Sequence, residues 1–209
     1  MKFILLSLLF AFNAIANNCP SDPGNWIIMI DSCPTKLADR VHRIKGAVCQ
    51  KEWASHAEEV IEVYKHFGGK SKIWLFPIYS VYSNDVTIIR PILYALKCGI
   101  KTITLSGGGD VAIPYEHDLI KDFVASGGRY YAAAGNENND IQKIPYYPAS
   151  YKEVIAVGAI ICPIKNKKPI KESYSSYGNN VKRWNCGMSI RGNHGTSFSV
   201  PRILVLDKR

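Results

Sequence analysis

The stretch NHGTSFSVP, residues 193–201, sets Ser197 behind a glycine-threonine turn and ahead of a small, apolar, helix-like run. Two readings fit that serine. It caps the last helix, as serine commonly does at such a position, or it is a nucleophile at a helix N-terminus, where the helix field favours developing negative charge. A serine hydroxyl is a weak nucleophile alone. The second reading therefore demands a base within hydrogen-bond reach, a group that orients the base, and a donor for the oxyanion. The chain offers five histidines, His42, His56, His66, His117 and His194. His56 opens a helix-like stretch, and His194 lies three residues before Ser197, which makes it the one rival base. Asp31 closes one apolar run, and Gly135-Asn136 closes another. Each has a plainer alternative: Asp31 as a turn cap, His56 as a surface or capping histidine, Asn136 as a left-handed turn residue.

Chain order separates the known serine mechanisms. An α/β-hydrolase runs serine, acid, histidine on a GxSxG elbow, but here the serine stands in GTSFS and no histidine follows it. The order histidine, aspartate, serine belongs to β-barrels, and this chain has helix-like stretches between its strands and no GDSGG turn. What remains is Asp31, His56, Ser197: acid, base, nucleophile. The glycine-rich LSGGG, residues 105–109, could in principle cradle a phosphate between a strand and a helix. It lacks the Lys-Ser/Thr of a P-loop and is not GxGxxG, so no nucleotide site is expected.

Those residues need a scaffold, and the apolar pattern supplies one. WIIMI (26–30), KIWLFPIY (72–79), TITL (102–105), RYYAAA (129–134) and VIAVGAI (154–160) read as buried strands. HAEEVIEVYKHF (56–67), DVTIIRPILYALK (85–97) and EHDLIKDFVAS (116–126) show helical spacing. Pro91 is expected to kink the second helix or sit in its first turn; Gly99 and Gly127-Gly128 are expected helix stops. Strands alternating with helices predict an α/β domain around a mostly parallel sheet flanked by helices. Ligands of such sheets bind beyond the carboxyl ends of the strands. Asp31, Ser106 to Gly109, Gly135 and Asn136 all follow strands, so they should share one edge.

The first 16 residues, with one lysine, an apolar run and a small-x-small ending at Ala14-Ile15-Ala16, read as a secretory signal peptide. Residues 17–209 then form one domain, and the expected location is secreted or periplasmic. All six cysteines follow Ala16, which in an exported chain predicts up to three disulfides. Cys33 and Cys186 both lie in turns beside the presumed site, so a bridge between them is one candidate pairing. No cysteine or histidine spacing suits a structural metal, and neither metal nor cofactor is expected. The formal charge is +9, with basic residues scattered except for KNKKPIK at 165–171. That run has no interleaved aromatics and reads as a solvated loop, so no nucleic-acid partner is expected. No later stretch is long and apolar enough to span a bilayer, and Ala16 and Asn18 do not suit a lipid-anchoring cysteine, so no membrane anchor is expected. A monomer is expected.

In this order the motifs resemble the subtilisin-like (subtilase) family of serine peptidases across most of residues 26–204. IIMIDSC is similar to the family's aspartate motif, SHAEEV to Ser-His-Gly-Thr-His-Val, and LSGGG to the Ser-Leu-Gly-Gly substrate strand. AAAGNENN resembles the Ala-Ala-Gly-Asn turn, and GTSFSVP resembles Gly-Thr-Ser-Met-Ala-Ser-Pro; YPASYKEVIAVGAI and SYSSYG match two further stretches. The resemblance implies a subtilisin-like fold, here compact and short at its C-terminal end, without a pro-domain. It implies an exported endopeptidase acting on proteins or peptides through an acyl-enzyme. Asp31, His56 and Ser197 would be the triad and Asn136 the oxyanion donor. The backbone of Ser106, Gly107 and Gly108 would pair with the substrate, and Gly135 would wall its specificity pocket. The pattern also departs from the family: Ala57, Glu58 and Glu59 stand for Gly-Thr-His, Cys33 for Gly, and Asn185-Cys186 for Ala-Pro. The alternative is a weak or inactive scaffold that binds peptides or a protein partner through the same groove. An unrelated α/β binding protein is the third reading.

Overall fold

The protein is described by a computed structural model over residues 19–44, 54–78, 85–113, 115–162 and 168–208. The expected signal peptide, residues 1–16, lies outside them. Strands β1 (Trp26–Asp31), β2 (Val41–Arg43), β3 (Lys72–Pro77), β4 (Thr102–Leu105), β5 (Arg129–Ala133), β6 (Ile155–Ile160) and β7 (Val181–Cys186) form one sheet. Its order is β2-β3-β1-β4-β5-β6-β7, and every neighbouring pair is parallel. The helices are α1 (Ala54–His66), α2 (Asp85–Cys98), α3 (Glu116–Ala125) and α4 (Thr196–Leu206).

A strand buried on both faces reads as an unbroken apolar run, and β1 is buried at every residue. Its side chains alternate between two cores. Ile28 and Ile30 join Ile92, Tyr94, Ile120 and Phe123 of α2 and α3. Ile27 and Met29 join Val60, Ile61 and Tyr64 of α1 and Phe198, Val200 and Leu204 of α4. The period of two continues to Asp31, which therefore faces α1 and α4. The same count works on β4, where Ile103 and Leu105 enter the α2/α3 core and leave Ser106 for the other face. On β5, Tyr131 and Ala133 point to the α1/α4 side. One parity rule thus sends three strand ends toward the same pair of helices.

Gly99 and Gly127 follow α2 and α3 with φ of 70° and 87°, the left-handed conformation in which helices often stop. Pro91 sits inside α2 rather than in its first turn. Two strands were not visible in the apolar pattern, β2 and β7, and both lie at sheet edges. Cys19 is bridged to Cys98, and Cys162 to Cys186. Cys33 is also disulfide-bonded. The Cys33–Cys186 pairing is therefore wrong: Cys186 ends β7, which lies beside β6, so the chain leaving β6 brings Cys162 within reach.

The Cys162–Cys186 bridge closes a loop with a sequence separation of 24. Closing a loop of that length restricts the unfolded chain by about 3 kcal/mol. Replacing both cysteines by serine should lower the unfolding free energy by roughly that amount, read from the denaturation midpoint at unchanged slope.

Candidate active site

Asp31 ends β1 with its side chain fully shielded. One carboxylate oxygen, Oδ1, accepts the backbone N–H of Ser32 at 2.7 Å and meets His56 Nδ1 at 2.7 Å. A carboxylate accepts and does not donate, so Nδ1 carries the hydrogen and Nε2 of the neutral ring is left with its lone pair. His56 lies in the first turn of α1, with 28% of its side chain exposed. Ser32 helps to place it: its hydroxyl accepts the Ala57 N–H at 3.0 Å, which ties the helix start to the strand that carries the acid. Burial pulls the imidazole's pKa down, but the Asp31 charge, its hydrogen bond and the charge of Glu59 together outweigh that and hold it above the ordinary histidine value.

Ser197 is buried in the first turn of α4. Gly195 is the N-cap residue, so the capping role open to Ser197 is not the one it plays. Its hydroxyl donates to the Ser106 carbonyl at 2.9 Å, and the Ser106 hydroxyl returns a bond to the Ser197 carbonyl at 3.2 Å. The His56 ring stands 5.8 Å, centroid to centroid, from the ring of Phe198. Among the described residues, then, Asp31 and His56 are joined directly, while the Ser197 hydroxyl is turned toward the Ser106 carbonyl rather than the imidazole. His194, the rival base, is more than half exposed and faces Glu172 at 3.7 Å.

Asn136 does not take the left-handed turn conformation; Asn138 does, with φ of 54°. The Asn136 side-chain oxygen accepts from both the backbone N–H and the hydroxyl of Thr196, at 2.9 and 3.0 Å. A backbone N–H can only donate, which fixes the amide orientation and turns its NH2 away from Thr196. The Ser197 N–H, in the first turn of a helix, has no intrahelical acceptor. The Asn136 nitrogen lies 3.7 Å from where a Cβ on Gly195 would stand, just ahead of Thr196, and the Ser197 N–H follows Thr196 in the chain.

Gly107 is buried and Gly108 exposed. A Cβ on Gly108 would stand 2.6 Å from the Tyr146 ring, and one on Gly135 would stand 2.6 Å from a Glu137 carboxylate oxygen and 3.4 Å from the same ring. Tyr146 thus spans the two glycine walls. Next to it opens a cavity of about 440 Å³ bordered by Gly108, Gly109, Glu137, Ile141, Tyr146 and Ser176. Ser32, Thr196 and Tyr146 escaped the sequence reading. The first two sit next to motif residues, and that adjacency was the only signal they gave. Among the described residues no group of three or more His, Cys, Asp or Glu side chains is placed to hold a metal ion, and no helix is long and apolar enough to cross a membrane.

Comparison with known proteins gives this arrangement a context. Residues 86–202 match the sequence profile of the subtilase family, more than half of the chain. The chain is 40% identical over 75 residues to an intracellular serine protease of Paenibacillus polymyxa, covering 35% of this chain and 23% of that protein. It is 30% identical over 126 residues to subtilisin E of Bacillus subtilis (strain 168), covering 56% and 32%. Its alignments thus span a quarter to a third of the length of these curated relatives. Among solved structures, a cold adapted subtilisin-like serine proteinase superposes with a TM-score of 0.67 at 17% identity, over 92% of this chain and 79% of that one. A lanthipeptide protease superposes with a TM-score of 0.68 at 14% identity, over 86% and 70%.

The Asp31–His56 pair has a measurable signature. The His56 ring should titrate above the ordinary value near 6.5, and Asp31→Asn should lower it, because only the Glu59 charge then opposes burial; NMR of the ring protons reads both. Because the folded-state value is raised, the stabilisation from protonated His56 is complete below the unfolded value and fades as pH rises through the folded one. His56→Gln should therefore cost more stability at pH 5 than at pH 9.

Proposed function

The chain belongs to the subtilase family, and on that premise we propose that it is a serine endopeptidase whose nucleophile is Ser197, base His56, orienting acid Asp31 and oxyanion donors the Asn136 amide and the Ser197 N–H. The observation that carries the reading is the Asp31–His56 pair, its acid buried and joined to the imidazole at 2.7 Å, facing the helix start that holds Ser197. An extended substrate lies along Ser106 to Gly108 and sends one side chain into the cavity beside Tyr146. Its backbone N–H competes for the Ser106 carbonyl, and the Ser197 hydroxyl is released to turn to His56 Nε2. The imidazole takes the serine proton as Oγ bonds to the scissile carbonyl carbon. The resulting imidazolium is stabilised by Asp31, and the oxyanion by the two N–H donors. The C–N bond then breaks, with the proton passing from His56 to the leaving amine. Water, deprotonated by the same histidine, hydrolyses the acyl-enzyme.

Export is part of the proposal. It is supported by the leader-like first 16 residues and by the disulfides at Cys19–Cys98 and Cys162–Cys186, which persist in oxidising compartments.

Ser197→Ala and His56→Ala should each lower peptide hydrolysis by several orders of magnitude, and the double variant should be scarcely worse, because triad members act as a unit. Asn136→Ala should cost about 10²–10³ in kcat. Covalent labelling of Ser197 by a phosphonate probe, lost in His56→Ala, is the direct check. A folded protein that neither hydrolyses peptides nor labels would instead favour the binding scaffold.

A further inference from the structure

The residues that break the histidine motif have their own contacts. Glu59 lies one helical turn beyond His56 on α1 and is 4% exposed. Both of its carboxylate oxygens accept from the Asn193 side-chain amide, at 2.8 and 2.9 Å. Asn193 closes a tight turn before α4: the Ser189 N–H donates to the Asn193 carbonyl at 2.7 Å, and the Asn193 N–H donates to the Ser189 hydroxyl oxygen at 3.0 Å. Four residues later stands Ser197. On the outer side of the same turn, Arg191 binds Glu62 through Nε at 3.0 Å and Nη2 at 2.5 Å, and its Nη2 lies 3.7 Å from Glu58. Glu58 in turn accepts from the Thr35 N–H and hydroxyl, beyond Asp31 in the chain.

We infer that Glu59, by holding Asn193, sets the spacing between the helix that carries His56 and the turn that delivers Ser197, and is therefore a positioning residue for the peptidase reaction proposed above, on which the inference rests. His56 and Ser197 lie on different helices, and the Ser197 hydroxyl is bonded to Ser106 rather than to the imidazole. The distance across which the proton moves therefore depends on how α1 sits against the start of α4. The Arg191 pairs are exposed and weakly fixing. The Glu59–Asn193 contact is buried on its acidic side and charge-assisted, with one Asn193 nitrogen shared between both carboxylate oxygens, which makes it the stiffer tie. Glu59 also acts on the histidine's charge. Among the described residues, the charged groups that face His56 are Asp31 from β1 and Glu59 from its own helix; Phe198 approaches from α4 and is uncharged. Those that face Glu59 are His56 and, from the turn, Arg191.

The experiment compares kcat, KM and the pH dependence of kcat/KM for wild type, Glu59→Ala, Glu59→Gln, Asn193→Ala, Asn193→Asp and the exchange pair E59Q/N193D, on protein shown to be folded by its circular dichroism and melting curve. Misplacing a reacting group by about an ångström can cost a hundredfold, so Glu59→Ala and Asn193→Ala should each lose roughly ten- to a hundredfold in kcat with KM changed little. Glu59→Gln still accepts the Asn193 hydrogen bond. It should recover most of the kcat lost in Glu59→Ala while moving the acid limb of kcat/KM to lower pH, because one negative charge beside the imidazole is gone. Asn193→Asp sets two carboxylates together and should lose activity, which E59Q/N193D restores by exchanging donor and acceptor. An active wild type whose kcat and pH profile are indifferent to Glu59→Ala, or an exchange pair no better than Asn193→Asp, overturns the positioning role and leaves the peptidase reading standing. A folded wild type that hydrolyses nothing and never labels at Ser197 sinks both.

Discussion

A carboxylate sealed from water at the end of a central strand is the constraint on which the rest is built. Asp31 has no exposed side-chain surface, and an isolated charge so placed costs several kcal/mol. One oxygen is satisfied by Ser32 and His56; the other, Oδ2, has no hydrogen-bond partner among the described residues. The fold is tolerable only if the imidazole arrives, and it arrives only if α1 packs where Ser32 caps it. A half-satisfied acid also holds the histidine strongly, since moving the ring away would strand the whole charge. Stability and site geometry are thus set by one hydrogen bond.

Much of the scaffold was legible because a parallel sheet buries its inner strands on both faces. WIIMI, TITL and RYYAAA read as strands from their apolar runs, which put Asp31, Ser106 and Asn136 at one sheet edge; the face each side chain takes came from the two cores of the structure. Edge strands carry no such signature. β2 is three residues long with only Val41 buried, and β7 reads VKRWNC with Lys182 and Arg183 exposed. Neither makes an apolar run or a clean alternation, so both were hidden. Disulfide pairing failed for a related reason. The Cys186 partner is decided by β7 lying beside β6, and a missed strand cannot suggest its neighbour.

For the candidate site, the sequence offered residues and a chain order but not their connections. Asn136 could be named from its turn, yet nothing in the sequence says that Thr196 holds its oxygen and so aims its NH2. Ala57-Glu58-Glu59 looked like a loss of pattern at the histidine. In three dimensions each has a use: Ala57 offers its N–H to Ser32, Glu58 reaches Thr35, and Glu59 reaches Asn193. Sequence comparison registers a departure of that kind as erosion, because the compensating partners lie outside the motif, 25, 23 and 134 positions away.

Asp31 closes the earliest strand of the described chain and Ser197 opens its last helix. The reactive groups are therefore brought together only after every strand between them has found its place. On the proposed reading, a nascent polypeptide owns acid and base long before its nucleophile is seated, and so has no hydrolytic power until Ser197 is in place. On that reading, the same geometry makes reactivity a proofreader of conformation: a molecule that has lost α4 from the sheet has also separated Ser197 from Asp31 and His56.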